Sequence, residues 1–435
     1  MRAEFTNGFN GNVLVAKDGE VVYKKSFGYR NLDSSLLLDN YSVFELASIS
    51  KQFTAMGILL LEQRGKLALT DTLRKFFPEL PYYRISIYNL LTHTSGLPDY
   101  MSAMKDKWDH RQIAFNGDLL AFLAKEKPVS NFAPGQKFEY SNTGYALLAA
   151  IIEKLSGESY RDYMDQNIFK PLGMRHTRVY NTRRFLKDTI PGYAYGYIFS
   201  VPNQKYMMPD SLKDYDFVYY LDGITGDGTV NSTTGDLLKW ESALLNNKLL
   251  KKEAQQSMLS FHSLMDTTKK TYYGYGVELG KNEFGRYMAH DGGWPGYRTS
   301  MIHYIDSGYT IIVLSNNQSY AVNISDAIAR IIYGKYIDFP YQHREITLDN
   351  TILDNYTGKY LVPQAIELVK RGNKLYRHLP GTSPESDVEL KPESSTKFFY
   401  ANHTDVQLAF DIDAQGHVKK AYAIVCGIIR EIKKI

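Results

Sequence analysis

The stretch SISKQFTAMGILLLEQRGKL, residues 48–67, limits the folds open to this chain. Phe53, Met56, Ile58, Leu59 and Leu60 give a broad apolar face at helical spacing, and Gly65 is a natural helix stop. Neither this run nor any other reaches the roughly 18 apolar residues of a membrane span, so no transmembrane segment is read. A helix of this kind is expected to be nearly all buried, and other elements must surround it. Lys51 stands one turn after Ser48 within it. Either Lys51 is an ordinary solvated lysine near a helix start, or it is the base that activates a nucleophile.

The surroundings can be read in outline. NVLVAKDGEVVYKKSFGY predicts two strands joined at Asp18-Gly19, because Asp-Gly between apolar alternations is a hairpin signal. Helices are expected at 86–92, 111–125, 142–156 and about 158–168, then after Thr234, and over AVNISDAIARIIYGK. Strands return at YRTSMIHYID and YTIIVLSNN. Strands first, helices in the middle and strands again predict an α+β fold: an antiparallel sheet flanked by helices, with an inserted helical region. After about residue 341 short alternating segments broken by Gly, Asn and Asp predict a small all-β barrel or sandwich. The expected domains are 1–340 and 341–435. No repeat of solenoid length occurs.

Composition narrows the function. A net charge of +4, from 51 basic and 47 acidic residues with no dense Lys/Arg block, argues against nucleic acid as a partner. The single cysteine, Cys426 in AIVCGI, excludes an intrachain disulfide and reads as a small buried strand residue. Ten histidines without a His-x-x-x-His pair, and no Cys–His cluster, argue against a metal site, and no cofactor is expected. There is no Gly-x-Ser-x-Gly elbow. Many of the 35 tyrosines fall in residues 192–220, as a cleft wall or as packing. The first twenty residues lack the n-region and h-region of a signal peptide.

Three elements could carry chemistry together. In SISK, a lysine held in an apolar site loses its charge more easily and can take the proton of Ser48, and a helix N-terminus favours developing negative charge. In FEYSNTGYALLAA, the phenol of Tyr140 can relay a proton and the amide of Asn142 can orient a substrate amide. In MAHDGGWPGYRT, small residues after His290 let a substrate approach the backbone closely. Each element alone is weak: SxxK is common, Tyr-x-Asn is usually a helix cap, and glycines with a histidine are usually a turn.

Taken together, Ser48, Tyr140 and His290 in this order and spacing resemble the serine β-lactamase and penicillin-binding-protein superfamily, in particular its class C β-lactamase, DD-peptidase and family VIII esterase group. NGNVLVAKDGEVVYKKSFGYRN, LLTHTSGLPDY, FAPGQKFEYSNTGY and IFKPLGMRHT look like signatures of the same group, so the resemblance covers roughly residues 8–338. It implies Ser48 as the acylated nucleophile, Lys51 as base or proton shuttle and Tyr140 as general acid/base. It further implies Asn142, His290, Gly292 and Gly293 as substrate-binding, with an oxyanion hole at the N–H groups of Ser48 and Gly293. Ser50, Asp291, His93 and His176 are read as structural or as pointing away from the chemistry.

The implied activity is hydrolysis of an amide or ester through an acyl-enzyme, on a cell-wall-type D-amino-acid peptide, a small ester or a β-lactam. The alternative is a penicillin-binding or peptidoglycan-sensing protein that acylates with little turnover. The implied setting is periplasmic or secreted. Two departures matter. The third motif is His290-Asp291-Gly292 instead of Lys-Thr-Gly, which puts efficient β-lactamase activity in doubt. GITGDGTVNSTTGDL is also less apolar than the AGGLxST pattern of the group, so the cleft floor is expected to be atypical.

Overall fold

The computed structural model describes residues 8–181, 190–200, 202–203, 205–362 and 364–435. The chain forms two compact units, one built from Gly11–Ile198 with Tyr206–Ser325 and the other around Asp326–Ile435.

The first unit is an eight-stranded antiparallel sheet that draws on both ends of its segment. β1 (Gly11–Lys17) and β2 (Glu20–Phe27) open it. Asp18 and Gly19 join them, with φ of 50° and 82°, the left-handed pair that a two-residue hairpin turn requires. The helices α1 (Ser50–Gln63), α2 (Asn116–Glu126), α3 (Asn142–Ser156) and α4 (Thr234–Leu245) follow. The sheet then resumes with β3 (Ser263–Asp266), β4 (Thr271–Tyr273), β5 (Glu278–Asn282), β6 (Gly285–Trp294), β7 (Tyr297–Tyr304) and β8 (Tyr309–Ser315). The order is β3-β4-β5-β6-β7-β8-β1-β2, with Gly11 opposite Ser315. The edge strand β2 exposes Val21 and Val22 but carries Lys24 and Lys25, charges that discourage edge-to-edge pairing.

α1 is the centre of this unit. Every residue from Ser50 to Leu61 is buried. The helix stops as its sequence predicts: Gly65 takes φ +70°, its N–H reaches the Glu62 carbonyl, and the Lys66 N–H reaches that of Leu61. This double bond pattern satisfies carbonyls that a helix end leaves bare. Gly57 lets α3 come close, since a Cβ there would crowd Ile152 and Met164. On another face Phe53 packs at 4.4 Å from the Trp240 ring of α4, whose indole N–H donates to Gln52 Oε1 at 2.8 Å.

Some predicted boundaries move. The helix expected from 111 starts at Asn116, because the Asp109 carboxylate ties Arg111 into a turn and Asp118 accepts the Phe115 N–H. The helix expected to 168 is Tyr160–Met164, followed by a wider turn over Asp165–Phe169. The helix expected over 321–335 is Ala321–Ile332.

In the second unit eight consecutive antiparallel strands close a barrel: β9 (Gly358–Val362), β10 (Gln364–Arg371), β11 (Lys374–His378), β12 (Val388–Pro392), β13 (Lys397–Tyr400), β14 (His403–Ile412), β15 (Val418–Val425) and β16 (Ile428–Lys434). Tyr360 opposite Lys434 closes it. Tyr356, Tyr360, Phe398 and Phe410 pack inside. Cys426 is buried as expected, but it is not a strand residue. With Gly427 it forms the left-handed hairpin turn between β15 and β16, at φ 49° and 75°.

Trp240 is fully buried, and its neighbours can collapse only partly into the space it fills. Trp240→Ala is expected to cost about 3–5 kcal/mol. Urea unfolding followed through Trp108 and Trp294, both in the first unit, measures this; a loss below about 1 kcal/mol would contradict the packing described.

Candidate active site

Ser48 sits on a single 3-10 turn, Ala47–Ile49, that feeds directly into α1. Ala47 has φ +50°, a strained value for a residue with a side chain. Strand β6 presses on this turn. A Cβ on Gly292 would overlap the Leu46 carbonyl and the Thr299 hydroxyl, so only glycine lets the strand run so close to Ser48. Ser50 anchors the other side by accepting the Val230 N–H at 3.1 Å.

Lys51 is fully buried. Its Nζ lies 3.2 Å from Ser48 Oγ, 2.9 Å from Asn142 Oδ1 and 2.8 Å from the Asp227 carbonyl. Three acceptors match the three N–H bonds of an ammonium. They also match the neutral amine: two N–H bonds keep the amide and the carbonyl, and the Ser48 hydroxyl turns to donate into the lone pair. Burial pushes the Lys51 amine down to about 8, with Asp227 and Asp99 pulling the other way.

Asn142 opens α3, capped by Ser141, whose Oγ accepts the Gly144 N–H at 3.1 Å. Asp227 is on a loop with one strained member, Thr229 at φ +73°, which is rare for a β-branched residue. The Asp227 carboxylate accepts the Tyr100 hydroxyl at 3.0 Å, and burial raises its pKa against the pull of Lys51.

Ser48 lowers the pKa of the Tyr140 hydroxyl, but burial outweighs it and holds that pKa well above the usual phenol value. Tyr140 as a residue is 38% exposed, with Lys51 Nζ 4.8 Å from its ring centroid. The ring lies against that of His93, centroids 4.2 Å apart and planes tilted by 33°. His93 fixes the whole loop: its Nδ1 accepts the Ser141 N–H at 3.0 Å and its carbonyl accepts the Glu139 N–H at 2.8 Å. His93 itself has φ +55°, and burial drives its pKa well down.

His290 is almost fully buried behind Tyr140, ring centroids 6.4 Å apart. Its Nδ1 lies 2.7 Å from the Asp291 carbonyl and its Nε2 2.9 Å from the Tyr273 hydroxyl. A carbonyl only accepts, so Nδ1 carries the proton and Nε2 accepts from Tyr273. Burial lowers the pKa of this imidazole to about 4, which keeps it neutral.

A cavity of about 360 Å³ opens at Ser48. Asn142 and Gly293 line it with Ser48; Tyr140, His290 and Gly292 do not. His290 instead lies against Tyr140, and Gly292 allows β6 to meet the Ser48 turn. The tyrosine-rich stretch divides in the same way. Tyr215 and Phe217 line the cavity, whereas Tyr197 and Tyr220 are core residues; 201 and 204 lie outside the described residues.

Three contributors escaped the sequence reading. Asp227 offers a backbone carbonyl, which has no side-chain signature. His93 stood in a quoted motif, LLTHTSGLPDY, but nothing there tied it to Tyr140. Arg298 lines the cavity beside Gly293, five positions beyond it on the next strand.

Comparison with known proteins places this geometry among relatives. Residues 8–334 match the family model described as Beta-lactamase. The chain is 42% identical over 416 residues to penicillin-binding protein 4* of Bacillus subtilis (strain 168), spanning 93% of this chain and 91% of that one. It resembles the octameric penicillin-binding protein homologue from Pyrococcus abyssi with a TM-score of 0.67 at 26% identity, covering 99% of this chain and 98% of the other. D-amino acid amidase from Ochrobactrum anthropi SV3 matches with a TM-score of 0.63 at 25% identity, covering 76% and 95%.

Gly292→Ala forces backbone against backbone and is expected to cost about 2–3 kcal/mol. Gly293→Ala meets only the flexible end of Arg298 and is expected to leave the urea midpoint close to native. Equal midpoints for the two variants would show that the approach of β6 to the Ser48 turn does not matter for stability.

Proposed function

Because the chain belongs to the Beta-lactamase family, we propose that it is a metal-independent serine hydrolase that works through an acyl-enzyme on Ser48. The observation that carries this reading is the buried Lys51 amine held 3.2 Å from Ser48 Oγ with two further acceptors. Such an amine changes charge near neutral pH, while Tyr140 stays protonated. The two roles divide accordingly.

Neutral Lys51 takes the Ser48 proton as Oγ attacks the substrate carbonyl. The oxyanion is held by the N–H groups of Ser48 and Gly293. Tyr140 then gives its phenolic proton to the departing amine or alcohol, and the phenolate recovers a proton from Lys51. Asn142, fixed by Lys51 through its carbonyl oxygen, keeps its amide N–H₂ for the acyl side of the substrate. Water enters where the leaving group was, loses a proton through the same pair, and releases the acid.

The substrate class is an amide or ester of D-amino-acid type, a small ester or a β-lactam. Names among the relatives support the first and third: D-amino acid amidase and penicillin-binding protein. The penicillin-binding names also support a second reading, acylation with little turnover. The chemistry belongs to residues 1–340, with 341–435 as a separate β domain. A periplasmic or secreted setting goes with a cell-wall-type substrate; among the described residues no helix is long and apolar enough to cross a membrane.

Two measurements test this. After penicillin is added, intact mass should show an adduct in the native protein and none in Ser48→Ala. An adduct of equal yield in Ser48→Ala would sink the mechanism, and its lifetime in the native protein distinguishes turnover from trapping. The acylation rate should rise with pH and level off above about 8, since Lys51 accepts a proton only when neutral. A rate that falls as pH rises from 6 to 8 would exclude Lys51 as the base.

A further inference from the structure

We propose that Arg298 is a specificity residue that binds a carboxylate carried on the acyl portion of the substrate. The inference rests on the hydrolase reading for the direction of the substrate, and on geometry for the rest.

The cavity at Ser48 contains Asn142, Gly293 and Arg298 but not Tyr140. Tyr140 protonates the leaving atom, so the leaving group departs on its side. Asn142, which faces the acyl side in the hydrolase reading, shares this cavity with Arg298, so the acyl portion is assigned to it. Arg298 is the cross-strand partner of Gly293, and the two point to the same face of the sheet. Its Nη1 lies only 2.8 Å from where a Cβ on Gly293 would be, so the guanidinium rests against the peptide that supplies the oxyanion donor.

Among the described residues no carboxylate pairs with this guanidinium. Its one hydrogen bond runs from Nη1 to the Tyr297 carbonyl at 3.2 Å. A guanidinium has five N–H donors in a planar fork suited to a carboxylate, and this one is exposed where it lines the cavity. The cavity's own acids, Glu45, Asp222 and Asp227, are buried in its floor, and Asp227 is engaged with Tyr100.

Charge on the other side points the same way. Asp291 is exposed two residues before Gly293, on the same face of β6. Its carboxylate and that of Glu278 both act on Tyr140 and raise its pKa. An anionic leaving group would meet the exposed carboxylate of Asp291. Of the exposed groups, the guanidinium of Arg298 thus stands on the acyl side and the carboxylate of Asp291 nearer Tyr140.

The test uses two probes with a common leaving group: N-succinyl-D-alanine p-nitroanilide, with a carboxylate on its acyl chain, and the neutral N-butyryl analogue. The native protein should favour the succinyl compound by about tenfold in kcat/KM, mainly through KM. Arg298→Gln should bring this ratio to about one, Arg298→Lys should keep part of it, and high salt should shrink it. The same pair, bound to Ser48→Ala protein with and without Arg298→Gln, gives the ratio of dissociation constants without turnover. A ratio near one in native protein, or one that Arg298→Gln leaves intact, would overturn the proposal while the hydrolase reading stands. Absent turnover with an Arg298-dependent binding ratio would do the reverse.

Discussion

The site depends on an amine placed where water cannot reach it. A lysine in water carries its charge at no cost; within the core, burial disfavours the charge of Lys51 by an amount on the order of 3 kcal/mol. The three acceptors keep that tolerable, and they come from three separate parts of the chain: the Ser48 turn, the start of α3 and the Asp227 loop. Because one nitrogen must meet all three, the helices and the loop are fixed relative to each other. The strained backbones of Ala47 and Thr229 sit at two of those three corners. Strain there is what holding Ser48 and the Asp227 carbonyl in place costs.

Much of this was legible in order along the chain. Asp18-Gly19, Gly65 and the apolar run between Phe53 and Leu61 have local causes, and each element formed where its own residues require it. Ser48, Lys51, Tyr140 and Asn142 were legible because their side chains meet at one place and their types and order resemble a known family. Their roles remain a reading of chemistry. What stayed hidden depends on distance in sequence. Nothing near residue 227 says that its carbonyl faces a lysine 176 positions earlier. His93 is local to its own turn but acts through contact with a ring 47 residues away. The Cys426 turn was misread because an apolar flank masks a two-residue hairpin when Cys precedes the glycine.

The place of His290 shows what composition leaves open along a strand. A histidine before two glycines suggests a cleft residue. Alternation along β6 adds the face: Met288, His290 and Gly292 are buried, and Asp291 and Gly293 are exposed. The polar group presented to the outside in this motif is therefore an acid, with Arg298 arriving from the neighbouring strand.

The pairing of β1 with β8 has a consequence for how the chain is made. Gly11 meets Ser315, so the first strand emerges from the ribosome roughly 300 residues before its partner. At about 5–20 residues per second that is a wait of roughly 15–60 s. During it β1 and β2 form at most an isolated hairpin, which is marginal in water. α1, apolar on nearly every side, has no sheet to cover it. The nascent chain is thus a long-lived, sticky and open polymer, available for most of its synthesis to whatever factors bind unfolded chains.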